Sequence, residues 1–184
     1  MIAQPRATLD DLYRVEGKAE LVNGRIVEIM PTGHRPNLVA GRIYRSLGDY
    51  ADRAGHGNAY TDGMGFAVPE LSSGRESFSP DASYYDGPLP ANDMRFVEGP
   101  PTFAAEVRSD SDYGPAADTE YADKRTDYFG AGTRVVWDVD PINRTVTCYR
   151  AAAPAQPTIF RPGDQADAEP AVPGWRLDVA ALFR

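Results

Sequence analysis

Residues 102–108 read Thr-Phe-Ala-Ala-Glu-Val-Arg, and this apolar stretch is typical of a strand in the interior of a sheet. Side chains alternate faces along a strand, so Glu106 and Arg108 share one face. Phe103 and Val107 occupy the other face. Burying a carboxylate or a guanidinium is costly unless the group is paired or binds a metal. The stretch therefore indicates either a structural ion pair or a functional carboxylate at Glu106.

A second carboxylate lies in another segment with strand character. Asp81 follows Ser79-Pro80 within residues 78–85, where most side chains are apolar or aromatic. Two carboxylates on neighbouring strands suit one divalent ion, since Mg²⁺ and Mn²⁺ prefer oxygen ligands. Such an ion activates water and stabilises charge on phosphoryl oxygens. We therefore expect Asp81 and Glu106 to be metal ligands and catalytic residues.

The composition is that of an ordinary globular protein. The chain has 184 residues, of which 42% are hydrophobic and 25% charged. We expect one domain over residues 1–184. The net charge of −8 argues against broad, nonspecific nucleic-acid binding, which relies on excess lysine and arginine. It does not exclude a nuclease, because clustered carboxylates that hold Mg²⁺ add negative charge to a sequence.

The chain has one cysteine, Cys148, which excludes an internal disulfide. It alternates with Val146 on one strand face, so we expect a core residue. No run approaches the ~18 apolar residues of a membrane span, and residues 1–6 lack the apolar region of a signal peptide. A cytoplasmic location with no membrane partner is expected. A homodimer is plausible, because symmetric dimers are the commonest oligomers.

Local patterns predict a mixture of helices and strands without strict alternation. The strongest hairpin signal is Asn23-Gly24, and the residues around position 74 are expected to form an exposed turn (72–76). Helices are predicted at residues 8–13, 34–53 and 116–130, and strands at 19–22, 25–30, 59–69, 78–85, 102–108, 133–139, 145–150 and 158–161. The pattern favours an α/β (α+β) fold with a central mixed sheet flanked by helices and with N-terminal and C-terminal β-hairpins.

The helix predicted at 116–130 carries a candidate catalytic lysine. Tyr121, Lys124 and Tyr128 are spaced i, i+3 and i+7, which places them on one helix face. A lysine between two tyrosines is often a solvated residue that packs its stem on the rings. Alternatively, Lys124 points toward Asp81 and Glu106, where its ammonium would orient an attacking water.

Several short motifs occur in order along the chain. They are Glu-Leu-Val-Asn-Gly (20–24), Ser-Pro-Asp (79–81), Glu-Val-Arg-Ser-Asp-Ser (106–111), Lys124 followed by Tyr128, Val-Val-Trp-Asp-Val-Asp-Pro (135–141) and Pro-Gly-Trp-Arg-Leu (173–177). Together they resemble the Uma2 family of restriction-endonuclease-like proteins, which is placed in the PD-(D/E)XK nuclease superfamily. The resemblance extends from about Thr8 to Phe183.

The resemblance implies a restriction-endonuclease-like core and a site for Mg²⁺ (or Mn²⁺) held by Asp81 and Glu106. It also implies a catalytic lysine on a helix, matching Lys124. Glu20 and His34 match further polar positions, as accessory residues together with Tyr128. From the residues alone, Glu20 is equally an ordinary strand charge and His34 a capping or exposed histidine.

Arg108 departs from the superfamily pattern, because it stands where the E-x-K motif places lysine. Arginine keeps the positive charge and can bind a phosphate through two nitrogens, but it cannot release a proton near neutral pH. If the position needs only fixed charge, Arg108 serves as a catalytic residue. If it needs proton transfer, Lys124 must serve.

Two functional hypotheses follow. The favoured one is a metal-dependent nuclease that hydrolyses phosphodiester bonds in DNA, with RNA or nucleotides as weaker substrate candidates. The alternative is a non-catalytic binding or assembly module that retains the nuclease fold.

Overall fold

The computed structural model describes residues 5–184. Residues 1–4, which belong to the segment 1–6 that lacks the apolar region of a signal peptide, lie outside the described part. The helices of this part are α1 (Leu9–Leu12), α2 (His34–Ala54), α3 (Pro115–Ala131) and α4 (Val179–Leu182). Its strands are β1 (Ala19–Val22), β2 (Arg25–Glu28), β3 (Asn58–Thr61), β4 (Phe66–Ala67), β5 (Ser77–Phe78), β6 (Ala82–Tyr85), β7 (Val97–Glu98), β8 (Phe103–Val107), β9 (Val135–Asp140), β10 (Thr145–Arg150), β11 (Thr158–Phe160), β12 (Gln165–Asp167) and β13 (Arg176–Asp178).

A six-stranded mixed sheet forms the centre of the molecule, in the order β11-β10-β9-β8-β6-β3. The β8–β9 pair is parallel and the other neighbours are antiparallel. The stretch that starts with Phe103 thus lies in the interior of the sheet, as predicted. A central mixed sheet flanked by helices is the architecture that the sequence favoured.

The two faces of β8 contact different helices. Phe103 belongs to a buried cluster with Ile43 and Leu47 of α2, whereas Ala104 belongs to a second cluster with Tyr128 of α3. The alternation predicted for this strand is therefore confirmed. Because Glu106 is two residues after Ala104 in the strand, its side chain lies on the same face of the sheet, toward α3.

Helix α2 forms where the sequence predicted it. Val39, Ile43 and Leu47 recur at every fourth position and are buried against the sheet. The helix ends at Gly55, whose φ of 73° is a left-handed conformation that glycine adopts without a Cβ penalty. Among residues 5–184, no helix is both long enough and apolar enough to cross a membrane.

Smaller sheets border the central one. The β1–β2 hairpin turns at Asn23 and Gly24, which both have positive φ, as the dipeptide predicted. Near the other end of the chain, β12 and β13 form a two-stranded antiparallel sheet, and within the central sheet β10 and β11 also form an antiparallel pair. Hairpin-type pairs therefore lie toward both ends of the chain. Cys148 is fully buried, which confirms that it is a core residue.

Two predicted strands are each divided in the structure. The segment 78–85 separates into β5 and β6, because Pro80 has no N–H to donate and Asp81 lies in the bend between them. The segment 59–69 separates into β3 and β4, which belong to different sheets. The segment between the strands predicted at 78–85 and 102–108 contains the short strand β7. Its pairing partner β4 is about thirty residues away, so no local periodicity indicates it.

Candidate active site

Glu106 lies near the end of β8 and is 9% exposed. Its Oε1 accepts a hydrogen bond of 2.6 Å from the hydroxyl of Tyr128. The same oxygen is 3.0 Å from Nζ of Lys124. Both partners project from α3, and their spacing of four residues places them on the helix face toward the sheet. Glu106 is therefore a buried carboxylate held by a phenol and an ammonium.

Lys124 connects two buried carboxylates. Its Nζ is 3.0 Å from Oε1 of Glu106 and 3.0 Å from Oε1 of Glu20. Burial alone would lower the pKa of Lys124, but the two carboxylates outweigh burial and raise it. Lys124 is thus a fixed ammonium at neutral pH rather than a solvated surface lysine.

Glu20 is a member of the site rather than an ordinary strand charge. Its Oε1 accepts the backbone N–H of Ser79 at 2.9 Å, and its Oε2 accepts from Nη1 of Arg75. Burial would raise the pKa of Glu20, but the charges of Lys124 and Arg75 outweigh it and lower that pKa. Glu20 therefore remains a carboxylate that helps to hold Lys124.

Arg75 is a site residue that the sequence did not reveal. The segment 72–76 was predicted to be an exposed turn, yet the Arg75 side chain is only 11% exposed. Its Nε donates to Oδ2 of Asp127 at 2.9 Å, and its Nη1 donates to Glu20. These partners lie 52 and 55 residues from Arg75 along the chain, so no local pattern signals them.

Asp81 lies beside Glu106. The register pairs Ala82 with Ala105, and continuing it by one position sets Asp81 across from Glu106 on the same face. Oδ2 of Asp81 accepts the backbone N–H of Val107 at 2.8 Å. Asp81 and Glu106 are thus brought together at the end of two neighbouring strands.

Lys18 is a second residue that the sequence reasoning missed. Its Nζ donates to Oδ1 of Asp81 at 2.8 Å, and its side chain is 16% exposed. The chain contains only two lysines, and both lie at this site. A signal was present in the sequence, because Lys18 precedes Glu20 by two positions and so lies on the same side of that segment.

The electrostatics of the site are set by three close carboxylates. Burial raises the pKa of Glu106, and Lys124 opposes that shift. Repulsion from Asp81 and Glu20 raises the pKa further. An additional positive charge at this position would offset the repulsion that Asp81 and Glu20 exert on Glu106.

The donor chemistry fits a hard divalent ion. Asp81 and Glu106 offer carboxylate oxygens, and an ion such as Mg²⁺ takes one or two of these while keeping several waters. Within residues 5–184, no three histidine, cysteine, aspartate or glutamate side chains converge as a ready ligand group. Two protein carboxylates, supplemented by water, are therefore the donors that this site offers.

A small cavity lies next to the carboxylate–lysine pair. Its volume is about 10 Å³, and its lining includes Glu106, Tyr121, Lys124 and Asp138. A volume on the order of 10–15 Å³ accommodates one water. Tyr121 therefore lies, like Lys124 and Tyr128, on the face of α3 directed to the sheet. The cavity therefore has room for one water next to Lys124, but its walls are mostly apolar.

Arg108 belongs to a different cluster. Its Nε and Nη2 donate to the two carboxylate oxygens of Asp138 at 2.8 Å each, and its Nη1 donates to Asp118 at 2.7 Å. Hydrogen bonding to Asp138 raises the pKa of Arg108. Among the described residues, its ion pairs do not include Asp81 or Glu106. The guanidinium connects β9 to the first turn of α3 instead.

His34 is not brought to the carboxylates. It is the exposed first residue of α2, the helix that packs on the sheet face opposite Glu106. In the part of the chain that the structure describes, no hydrogen bond or ion pair joins it to Asp81 or Glu106.

Comparison with known proteins relates this chain to a family and to solved structures. A family model described as "Uma2: Putative restriction endonuclease" matches residues 7–180. The crystal structure of a "putative nuclease belonging to DUF820" from Anabaena variabilis is similar, with a TM-score of 0.73 and 20% sequence identity over 96% of this chain and 97% of that chain. At this identity the likeness lies in the fold. No curated protein matches the sequence.

Proposed function

Because the chain belongs to the Uma2 family, described as "Putative restriction endonuclease", we propose that it is a metal-dependent nuclease that hydrolyses phosphodiester bonds in DNA. One observation carries the proposal. Lys124 lies 3.0 Å from both Glu20 and Glu106, and Asp81 lies across from Glu106. Three carboxylates and an ammonium in a largely buried site suit phosphodiester hydrolysis.

Asp81 and Glu106 are the residues that would hold Mg²⁺ or Mn²⁺. When bound, the ion supplies Lewis-acid activation of water and neutralises charge on the phosphoryl oxygens. Tyr128 fixes the Glu106 carboxylate through its 2.6 Å hydrogen bond, so the ligand is preorganised. The backbone N–H of Val107 does the same for Asp81.

Lys124 is the group of this chain that faces the reacting water. Since its pKa is raised, it acts as a positive charge and hydrogen-bond donor, not as a base. It would orient the water whose oxygen bonds to phosphorus while the bond to the leaving sugar oxygen breaks. The water's proton passes to solvent, and the leaving oxygen takes up a proton from solvent. Glu20 and Arg75 keep Lys124 in place through the contacts described above.

Cleavage of plasmid and oligonucleotide DNA with Mg²⁺ or Mn²⁺ tests the proposal. Asp81→Asn and Glu106→Gln keep the side-chain shapes and remove the charges, so each is expected to lower the cleavage rate by at least ~100-fold. Asp123→Asn, on the exposed side of α3, is the matched control and should cleave like the wild type. Equal rates in Asp81→Asn and the control would contradict a metal-dependent mechanism at this site.

A second candidate function has one specific observation in its favour. Each carboxylate already has partners within the chain, since Asp81 bonds to Lys18 and Glu106 to Lys124 and Tyr128. A satisfied polar cluster of this kind also suits a binding or assembly module that keeps the nuclease fold without catalysis. In that case the cluster would serve stability and specificity of folding.

Calorimetric titration with Mn²⁺ separates the two candidates. The nuclease proposal expects measurable binding that is lost in the Asp81→Asn/Glu106→Gln double variant. Equally weak binding by the wild type and the double variant, together with no cleavage, would favour the module. Thermal unfolding of both proteins shows whether the variant is folded before the titrations are compared.

A further inference from the structure

A groove between α2 and α4 gathers positive charge in a protein whose net charge is −8. It has a cavity volume of about 680 Å³ and lies on the α2 side of the sheet, opposite the face that carries Glu106. Four arginines line it, namely Arg42, Arg45, Arg53 and Arg184. The only acidic side chain in the lining is Asp49. An excess of three positive side-chain charges is therefore concentrated in one groove.

The arginines of the groove are available to a ligand. In residues 5–184, none of the four forms an ion pair, although many other arginines of the same region do. Arg42 is partly buried, and its Nη1 donates to the backbone carbonyl of Leu182 at 2.9 Å. A carbonyl orients a guanidinium without neutralising it, so Arg42 keeps its charge and its remaining donors.

The arginines on α2 form a row that Asp49 interrupts between Arg45 and Arg53. Positions 42, 45 and 53 lie on one side of the helix, because they are separated by three and eight residues. At a rise of about 1.5 Å per residue, they extend over about 16 Å. Each strand of a DNA duplex carries a phosphate about every 3.4 Å along the axis, so the row is long enough to follow several successive phosphates.

The rest of the lining also suits a phosphate backbone. Leu177 and Ala181 are partly exposed and form an apolar part of the lining, against which the sugars of a backbone can pack. Ser46 accepts the indole N–H of Trp175 at 3.0 Å, which leaves the hydroxyl hydrogen of Ser46 free to donate to an anion.

We infer that the α2–α4 groove binds the phosphate backbone of a nucleic acid. The inference goes beyond the proposed function, because this contact needs neither the carboxylates nor a metal. Arginine suits the role, since its planar guanidinium donates two parallel hydrogen bonds to a phosphate. The groove supplies a docking surface away from the acidic site, whose carboxylates repel a polyanion.

Fluorescence anisotropy with a labelled duplex of about 20 base pairs, in EDTA, measures binding without cleavage. The test variant is Arg45→Ala/Arg53→Ala, because both side chains are exposed and lack ion pairs in the described structure. The matched control is Arg144→Ala/Arg161→Ala, which removes the same charge from exposed positions outside the groove. Circular dichroism confirms that both variants are folded.

Loss of two phosphate contacts should weaken binding about tenfold or more at ~0.1 M salt and reduce the slope of log K against log salt concentration by about 2. The control should change the slope far less. Equal slopes for the two variants would overturn the inference, as would the absence of binding by the wild type. If labelled polyglutamate of equal charge binds the wild type more tightly than the duplex does, and this affinity is lost in the groove variant, the groove selects acidic polypeptides and the inference is wrong.

The outcome is independent of the nuclease assay. If the groove variant loses duplex binding while Asp81→Asn retains it, the inference about the groove is supported. Whether the protein cleaves DNA is then decided separately by the cleavage assay. Conversely, if the variant Arg45→Ala/Arg53→Ala cleaves short oligonucleotides at the normal rate, the nuclease function does not depend on the groove.

Discussion

At the scale of single residues, Arg108 shows how a neighbouring strand redirects a side chain. The parallel register sets Asp138 beside Glu106, and the guanidinium of Arg108 reaches both oxygens of Asp138. The interaction is bidentate, which a lysine ammonium cannot reproduce. The E-x-K pattern with which residue 108 was compared does not describe the contacts of Arg108 in this structure.

Replacing Arg108 with lysine tests this assignment. Although Arg108→Lys introduces the residue of the E-x-K motif, we expect no increase in cleavage. We expect the free energy of unfolding to fall by about 1–3 kcal/mol, because one of the two bonds to Asp138 is lost. Urea denaturation measures the change, and Arg144→Lys at an exposed turn is the control. A faster reaction at unchanged stability would instead place residue 108 in the catalytic machinery.

Lys18 leads to a second prediction at this scale. Its ammonium bonds to Asp81, so a divalent ion that binds Asp81 must compete with it. Lys18→Met keeps the length of the side chain and removes the charge, and it should tighten Mn²⁺ binding about tenfold, which corresponds to ~1.4 kcal/mol. Isothermal titration gives the dissociation constant, and Arg14→Met, at an exposed residue, controls for the change in net charge. Unchanged or weaker binding would show that Lys18 does not oppose the ion.

The sequence predicted part of the site and missed another part for a physical reason. Glu106 and Lys124 were identified because strand alternation and helix periodicity are local signals. Arg75 and Asp127 were missed because their contacts join segments far apart in sequence, and nothing in a loop pattern reports them. His34 was placed in the site by resemblance, yet α2 carries it on the other face of the sheet.

At the scale of elements, α2 contains glycines that weaken it. Gly41 and Gly48 lie inside the helix with no atom within 4 Å of an added Cβ. Because glycine gains more backbone freedom than alanine on unfolding, Gly41→Ala and Gly48→Ala should each stabilise the protein by about 0.5–1 kcal/mol. Thermal or urea unfolding measures both effects.

Gly55 provides the contrasting control in the same helix. Its φ is 73°, so Gly55→Ala should destabilise the protein by about 1 kcal/mol, although no atom lies near the added Cβ. Similar changes at Gly41 and Gly55 would contradict the conformational explanation. The long elements, including α2, were predicted well because their periodicity extends over many residues. Strands of two residues such as β4 exist through pairing with distant segments, which a local pattern cannot show.

At the scale of the whole molecule, the buried thiol of Cys148 reports on global unfolding. Burial raises its pKa to about 11 from an ordinary value of 9.0. The thiol is therefore protonated and shielded in the native state, and we expect slow labelling by a thiol reagent near neutral pH until the protein unfolds. Labelling that matches the rate of a free thiol would indicate local opening of the sheet.

The same group sets a pH dependence of stability. Since the pKa of the folded state lies above that of the unfolded state, the contribution of Cys148 is fully present below about pH 9 and is lost as the pH rises through about 11. Stability of the wild type should fall more steeply over this window than that of Cys148→Ala. Parallel curves from chemical denaturation would show that Cys148 does not govern this window.

The order of segments around β8 has a consequence for synthesis on the ribosome. Lys18 and Glu20 emerge early, but the strand that flanks β8 on one side, β9, ends only at Asp140. Domains fold from nascent chains as cooperative units, and a chain released from the tunnel only as far as Lys124 lacks that border. Until translation has passed well beyond α3, Lys18 and Glu20 remain in water as separate charges. The charged cluster of the folded protein therefore forms late in synthesis and in one cooperative step.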